Sequence, residues 1–372
     1  MRAFMLIPLA VCIYEIASLI LPLKLPLWPR LLAGLLLLSG LAKSLLYKPT
    51  PEGFEIYELP YGVALWFAVV FNFIVVSFFL LLAKDAIWIL WKIFTRESFP
   101  DYYAALFVFS LSLCATLYGT YEALKLPPVA RHEVAIKGLG KDFDGMKIAM
   151  LIDIHADELT NHNAVKKIVD RTNALNPDLI LMPGDFVDGT VKARSHDLEP
   201  IRDLKAKHGV FGVTGNHEYY FDFNGWMKEL EEFGVKLLNN ENVVISSGDS
   251  RLTLAGLPDR TGGMMGKTAR NIDEALKDIP DDVPVILMDH QPGAARENAK
   301  HNIALQVSGH THGGQIPIMY SLVKKINNGF VRGWYDVEEM KLYVSPGTSQ
   351  WNGFACRLFD PSEITLFTLR CD

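Results

Sequence analysis

The chain has 372 residues, half of them hydrophobic, and carries 36 Lys+Arg against 42 Asp+Glu for a formal net charge of −6. That length admits two or three domains, and an acidic chain is a poor match for a nucleic-acid backbone, which selects basic patches, so no nucleic acid is expected as a partner. The charge is also unevenly placed: up to residue 131 there are 10 basic and 8 acidic side chains, beyond it 26 and 34, and none of the ten histidines precedes His132.

The first third reads as membrane. Residues 3–23, 29–47, 61–83 and 102–120 are apolar runs close to the ~20 residues needed to cross a bilayer core. They predict a transmembrane helical domain of about four spans over residues 1–124, with the lipid bilayer as partner. The first run is too long, and too closely followed by the second, for a cleaved signal peptide. Glu15 lies inside it, and an intramembrane acid is either functional or simply turned toward the bundle. The aromatic stretch "KDAIWILWKIF", 84–94, predicts a short interfacial helix. Basic residues are nearly balanced between the two sets of loops, so charge does not orient the spans.

Residues 125–145 hold a Pro-Pro linker and a first strand, and residues 146–372 read as a globular domain. Strand-like runs at 146–153, 178–183, 210–214, 283–289 and 303–308 alternate with helical stretches "NHNAVKKIVDRTNAL", "LEPIRDLKAKHG", "NGWMKELEEFG" and "NIDEALKDI". Such alternation predicts an α/β domain. Near the end, "KLYVSPGT" and "EITLFTL" read as strands with no helix between, giving the sheet an antiparallel flank. Cys356 and Cys371 flank "DPSE", a turn between two terminal strands; they either pair across it or stay as two buried thiols.

In α/β sheets the functional groups gather at the carboxyl ends of strands, and each ligand-type residue sits at such a point. "MLIDIHAD" ends its strand with Asp153 and His155, and "LILMPGDFVD" ends with Asp185. "VFGVTGNHE" brings Asn216 and His217, "VILMDHQP" His290, and "LQVSGHTH" His310 and His312. Imidazole and carboxylate together suit Mn²⁺, Fe²⁺ or Zn²⁺ better than Ca²⁺ or Mg²⁺. Seven candidate ligands are too many for one tetrahedral ion. Two ions ~4 Å apart, sharing a carboxylate, fit the number.

The series "DIH", "GDFVD", "GNHE", "DHQP", "GHTH" resembles, motif by motif and in order, that of the calcineurin-like metallophosphoesterases. The resemblance covers about two thirds of the chain. It implies a four-layer α/β/β/α sandwich with two mixed sheets between helices. It also implies that Asp153, His155, Asp185 and His312 bind one metal and Asp185, Asn216, His290 and His310 the other, with Asp185 bridging. Alternation along an extended "GHTH" segment would part the two histidines. His217 would be the catalytic acid or transition-state stabiliser, with Asp188 and Glu218 orienting neighbouring groups. His132, His162, His196, His208 and His301 match no motif. "GGMMGKT" is not a P-loop, because that motif needs glycine where Thr261 stands.

The "HTHGGQI" extension and the closing "SPGTSQWNGFACRLFDPSEITLFTL" look like the membrane-associated bacterial branch of the superfamily. That implies an integral protein of a bacterial inner or plasma membrane with an extracytoplasmic catalytic domain. The sequence departs from the pattern at Ile152, where Ser is usual, and at the "HAD" after Ile154. The expected reaction is hydrolysis of a phosphomonoester or phosphodiester by a metal-bound hydroxide. Residues Tyr219 to Trp226 and the stretch 316–334, tipped with Lys324, Lys325 and Arg332, would suit a lipid-linked substrate such as a phospholipid or nucleotide-lipid. The competing expectations are a membrane sensor or scaffold with a catalytically silent domain, and a metal-dependent nuclease, which the acidic domain disfavours.

Overall fold

Between Val63 and Phe94 the chain contains neither glycine nor proline, so nothing interrupts a helix begun at Pro60. The computed structural model describes residues 2–41, 47–50, 53–351 and 353–372, which fall into two units. One comprises residues up to 48, 56–123 and 353–358; the other comprises 49–55, 124–351 and 359–372.

The first unit is helical, with α1 (Arg2–Glu15), α2 (Leu27–Leu41), α3 (Tyr61–Phe94) and α4 (Asp101–Leu124). Among the described residues two helices, α3 and α4, are long and apolar enough to cross a membrane; the segments around α1 and α2 form shorter apolar helices. The expectation of four spans therefore reduces to two candidates. The apolar helices of the first two runs cover Ile7–Leu23 and Leu27–Gly40, each shorter than 18 residues, and residues 42–46 of the second run lie outside the described residues. The interfacial helix expected at 84–94 is the continuous end of α3.

Several charges in this unit meet polar partners. Glu15 is fully buried and accepts from Ser77 Oγ at 2.7 Å. Lys84 donates to the Ser18 carbonyl at 3.0 Å and pairs with Asp85, which also accepts from Tyr14. Residues 353–358 pack within the same unit: Asn72 Nδ2 donates to the Ala355 carbonyl (2.7 Å) and to Thr120 Oγ1 (2.9 Å), and Arg357 N donates to the Gly119 carbonyl (2.9 Å). Gly119 lacks the Cβ that would strike Cys356 Sγ. Cys356 is thus buried outside any strand, and all four cysteines are free.

The second unit begins with part of a two-stranded ribbon, β1 (Tyr47–Thr50) with β2 (Gly53–Ile56). Its strands are β3 (Val129–Ile136), β4 (Lys147–Met150), β5 (Leu179–Met182), β6 (Val210–Gly212), β7 (Val235–Leu237), β8 (Glu241–Ser247), β9 (Ser250–Leu257), β10 (Val285–Asp289), β11 (Leu305–Ser308), β12 (Gly333–Val337), β13 (Met340–Val344) and β14 (Ile364–Cys371). They form two six-stranded sheets, β3-β14-β4-β5-β6-β7 and β12-β13-β11-β10-β9-β8. β4 through β7 are parallel, as are β9, β10, β11 and β13. The last two strands are not neighbours: β13 joins the second sheet, while β14 lies antiparallel to β4 in the first.

The period of two places the layers. Ile148 and Met150 of β4, Leu179 and Leu181 of β5, and Ile286 and Met288 of β10 share one core between the sheets. Ala149, Leu151, Ile180 and Met182 face the other way, onto Val165, Ile168 and Val169 of α5 (His162–Asn173) and Trp226 and Leu230 of a later helix, Phe223–Glu232. Val285 and Leu287 meet Ala275, Ala295 and Ala299 on the outer side of the second sheet. The result is a mixed α/β sandwich with helices on both outer faces. The helix expected over "LEPIRDLKAKHG" is instead a 3₁₀ turn, Glu199–Asp203, behind the helix Val191–Leu198, because Pro200 interrupts the register.

Candidate metal centre

The eight residues predicted as ligands or catalytic acid all lie where β4, β5, β6, β10 and β11 leave the sheets. The backbone there is unusual. Asp153 (φ 55°), His155 (46°), Asp185 (54°), His310 (69°) and His312 (46°) are all left-handed, a conformation disfavoured for residues with a Cβ and concentrated at functional sites. The two histidines of "GHTH" thus part through two left-handed kinks, not through extended alternation. Neighbouring chain holds the kinks: Asp153 N donates to the Gly184 carbonyl (3.2 Å), His155 N to the Asp185 carbonyl (3.1 Å), and Ser349 N to the Asp153 carbonyl (3.2 Å).

The side chains form two groups joined by one carboxylate. Asp153, His155 and His312 gather on one side and Asp185, His290 and His310 on the other. Asp185 Oδ2 lies 3.6 Å from His155 Nε2 and 3.2 Å from His290 Nε2. The His155 and His312 Nε2 atoms are 3.1 Å apart. Asn216 directs a buried Oδ1 that has no hydrogen-bond partner.

Hydrogen bonds fix which nitrogens carry protons. His290 Nδ1 donates to the Pro183 carbonyl (2.9 Å), and Asp188 Oδ1 faces Nδ1 of both His155 (3.1 Å) and His217. In the neutral imidazoles, the Nε2 atoms of His155 and His290 would therefore be lone pairs aimed at an anionic oxygen. Such a meeting is repulsive unless a cation stands between. Without one, protons take its place. Burial pulls His217 down, but Asp185 and Asp188 overcome it and lift the imidazole to about 9. Burial likewise opposes the charge on His290, and Asp185 and Asp153 still raise it well above the ordinary value. Burial and the His290 charge press His310 down to about 3. Burial would raise Asp185, yet His290 and His217 hold it well below the carboxylate range.

This donor set fits divalent metal. Ligands about 2.0–2.1 Å from a tetrahedral ion stand roughly 3.3 Å apart, close to the 3.1 Å between His155 and His312, and the Nδ1 atoms of His155 and His290 are each committed to an oxygen, as is usual for metal-binding imidazoles.

Residues 146–314 match the calcineurin-like phosphoesterase family. A metallophosphoesterase of Campylobacter jejuni is 34% identical over 301 residues, 79% of this chain and 78% of its own. The chain belongs to the calcineurin-like metallophosphoesterase family. A second relative, the zebrafish (Danio rerio) transmembrane protein with metallophosphoesterase domain, is 32% identical across 71% of this chain and 62% of its own length. A Helicobacter pylori metallophosphoesterase is 34% identical across 68% and 66%. The chain thus spans about two thirds of these two relatives. A transmembrane protein with metallophosphoesterase domain of Bos taurus is 34% identical across 68% of this chain and 60% of its own length.

This metallophosphoesterase, an enzyme of phosphate-ester hydrolysis, carries supports that its motifs do not announce. Glu218 accepts three backbone N–H groups, from Asp185 (3.1 Å), Phe186 (2.8 Å) and Gly215 (2.7 Å), so it clamps the "GD" loop to the "GNH" loop. Burial and the Asp185 charge push its carboxyl up to about 7. Beneath His290, Asp289 accepts from Arg270 (2.7 Å) and Asn298 (2.8 Å), and Asn298 also donates to Gln306 (2.9 Å). Asp157, the departure in "HAD", caps its own turn through Leu159 N and Thr160 N and accepts from Gln350. Ile152, the other departure, is core. Beside His217, Tyr220 and Phe221 form an aromatic flank, and Gly53 bridges Phe221 so closely that a Cβ there would strike the Tyr220 carbonyl. The only cue to these supports is the polar residue beside each motif.

Proposed function

We propose that the enzyme is a membrane-held binuclear phosphoesterase, with Asp153, His155, Asp185 and His312 holding one divalent ion and Asp185, Asn216, His290 and His310 the other. The observation that carries this reading is that the Nε2 atoms of His155 and His290, whose Nδ1 atoms are taken up by Asp188 and the Pro183 carbonyl, both converge on Asp185 Oδ2. Mn²⁺, Fe²⁺ and Zn²⁺ are the candidates by donor type. When bound, such ions neutralise the ester oxygens and activate water at neutral pH.

The chain's own groups do the rest. Asp188 fixes the Nδ1 proton of His217, so Nε2 stands ready to give a proton to the departing oxygen. His217 is partly open, at 13% exposure, as is the proposed ligand His310, whereas His155 and His290 are fully buried. Its place at the mouth suits a group that meets the leaving side of the ester. The aromatic flank of Tyr220 and Phe221 favours an apolar leaving group, and the membrane-grade helices favour a lipid-linked phosphate.

The test is hydrolysis of an aryl phosphodiester and an aryl phosphomonoester by the detergent-solubilised full chain, with Mn²⁺ and with chelator. Turnover that needs metal and is lost in Asp185→Asn is the expected outcome. Metal bound by the unaltered chain with neither ester cleaved would overturn the reading.

A further inference from the structure

We propose that the helix Pro317–Ile326 lies in the surface of the bilayer and forms the threshold across which an amphiphilic phosphate ester reaches the metal centre. The proposal rests on the phosphoesterase reading for its chemistry and adds where the substrate comes from.

The helix follows His312 after a turn in which Gly313, Gly314 and Gln315 all have positive φ. The chain beyond its far end is tied back to the same ligand loop. Thr311, between His310 and His312, donates its hydroxyl to the Val331 carbonyl at 2.5 Å. Whatever covers this helix therefore borders the site. None of its side chains is buried. Ile318, Leu322 and Ile326 are 55%, 56% and 61% exposed, and at spacings of four they form a single stripe. A surface helix ordinarily turns such a stripe inward; this one turns it out. Phe359, 79% exposed, adds to the same neighbourhood: its neighbour Asp360 pairs with Arg332 on the returning strand and packs where a Gly313 Cβ would stand.

Two features select a bilayer as occupant. Lys324 and Lys325 in the last turn are exposed, and lysines flanking an apolar stripe suit an interface with anionic headgroups. The tether is also short: α4 ends at Leu124 and β3 begins at Val129, a gap of at most about 18 Å when extended. A catalytic unit joined so closely to a membrane-grade helix stays within reach of the lipid.

The experiment uses the full chain in vesicles about one-third anionic in lipid. A nitroxide is attached at Leu322→Cys and, as a solvent-facing control, at Lys166→Cys on α5, in a background with Cys114→Ser and Cys371→Ser. The label at 322 should be reached by oxygen and shielded from a water-soluble nickel chelate, and the label at 166 the reverse. Equal exposure of both to the chelate overturns the proposal, and so does shielding that tracks protein concentration in detergent, which would mean a second copy on this face. In parallel, Ile318→Glu with Leu322→Glu should slow turnover of a bilayer-dispersed phosphate ester by about tenfold or more, while a water-soluble aryl ester keeps its rate. Equal loss on both esters also overturns it. If the unaltered chain cleaves neither ester, the phosphoesterase reading has failed, and the label still decides the helix.

Discussion

Asp188 belongs to neither metal group, yet one of its oxygens faces the Nδ1 atoms of both His155 and His217. That single acceptor takes up the Nδ1 atoms of both rings and so leaves both Nε2 atoms toward Asp185 Oδ2, at 3.6 Å for His155, the proposed ligand, and 3.9 Å for His217, the proposed acid. Burial would raise the Asp188 carboxyl, but the two imidazoles hold it below the carboxylate range, so it stays anionic under working conditions. In Asp188→Asn the charge is gone and the acidity of His217 rises. The mutant should lose about 10²-fold in kcat on an alkyl phosphate ester, within the range ascribed to general-acid catalysis, and much less on a nitrophenyl ester, whose leaving group needs no proton. Because a raised imidazole stays protonated until pH climbs through its pKa, the alkaline limb for the alkyl ester should move to lower pH in the mutant. Equal losses on the two esters would assign Asp188 to holding structure alone.

The elements that deliver these residues are parallel strands whose exits bend left-handed, and that bend is what the sequence leaves unsaid. The apolar runs before Asp153, Asp185, His290 and His310 announce β4, β5, β10 and β11 because their side chains are buried on both faces. The ligands follow those runs, so their convergence could be read. What holds Asp153 and Asp185 left-handed could not, because the partners come from afar: Ser349 N reaches the Asp153 carbonyl and Glu218 collects the amides of the "GD" loop. Distance likewise hides the burial of 353–358 against Asn72 and Gly119, whereas the local hairpin of β8 and β9 is obscured because its first strand is partly exposed and pairs only at the sheet edge. Glu218→Gln tests the clamp. An amide nitrogen would confront backbone donors where an oxygen now accepts, costing about 1–3 kcal/mol for a buried unsatisfied group, or several degrees of Tm. Metal affinity measured by titration should fall as well, although every ligand remains.

For the whole molecule, the same charges link metal, pH and stability. In the metal-free chain the carboxylates at the centre are balanced by protons on His290, His155 and His217. A group raised on folding contributes stability that is complete below its unfolded pKa, near 6.5 for imidazole, and is lost as pH rises through the folded value. For His217 that window runs from about 6.5 to about 9, a loss on the order of 3 kcal/mol at its alkaline end. The chelated full chain should therefore melt several degrees lower at pH 9.5 than at pH 7 in the transition of the sandwich. Divalent ions, once bound, supply the positive charge that protons otherwise provide, so loading with Mn²⁺ should raise Tm and flatten its alkaline slope. An unchanged slope on loading would show that the ions do not replace the protons, and the two-group arrangement around Asp185 would then have to be abandoned.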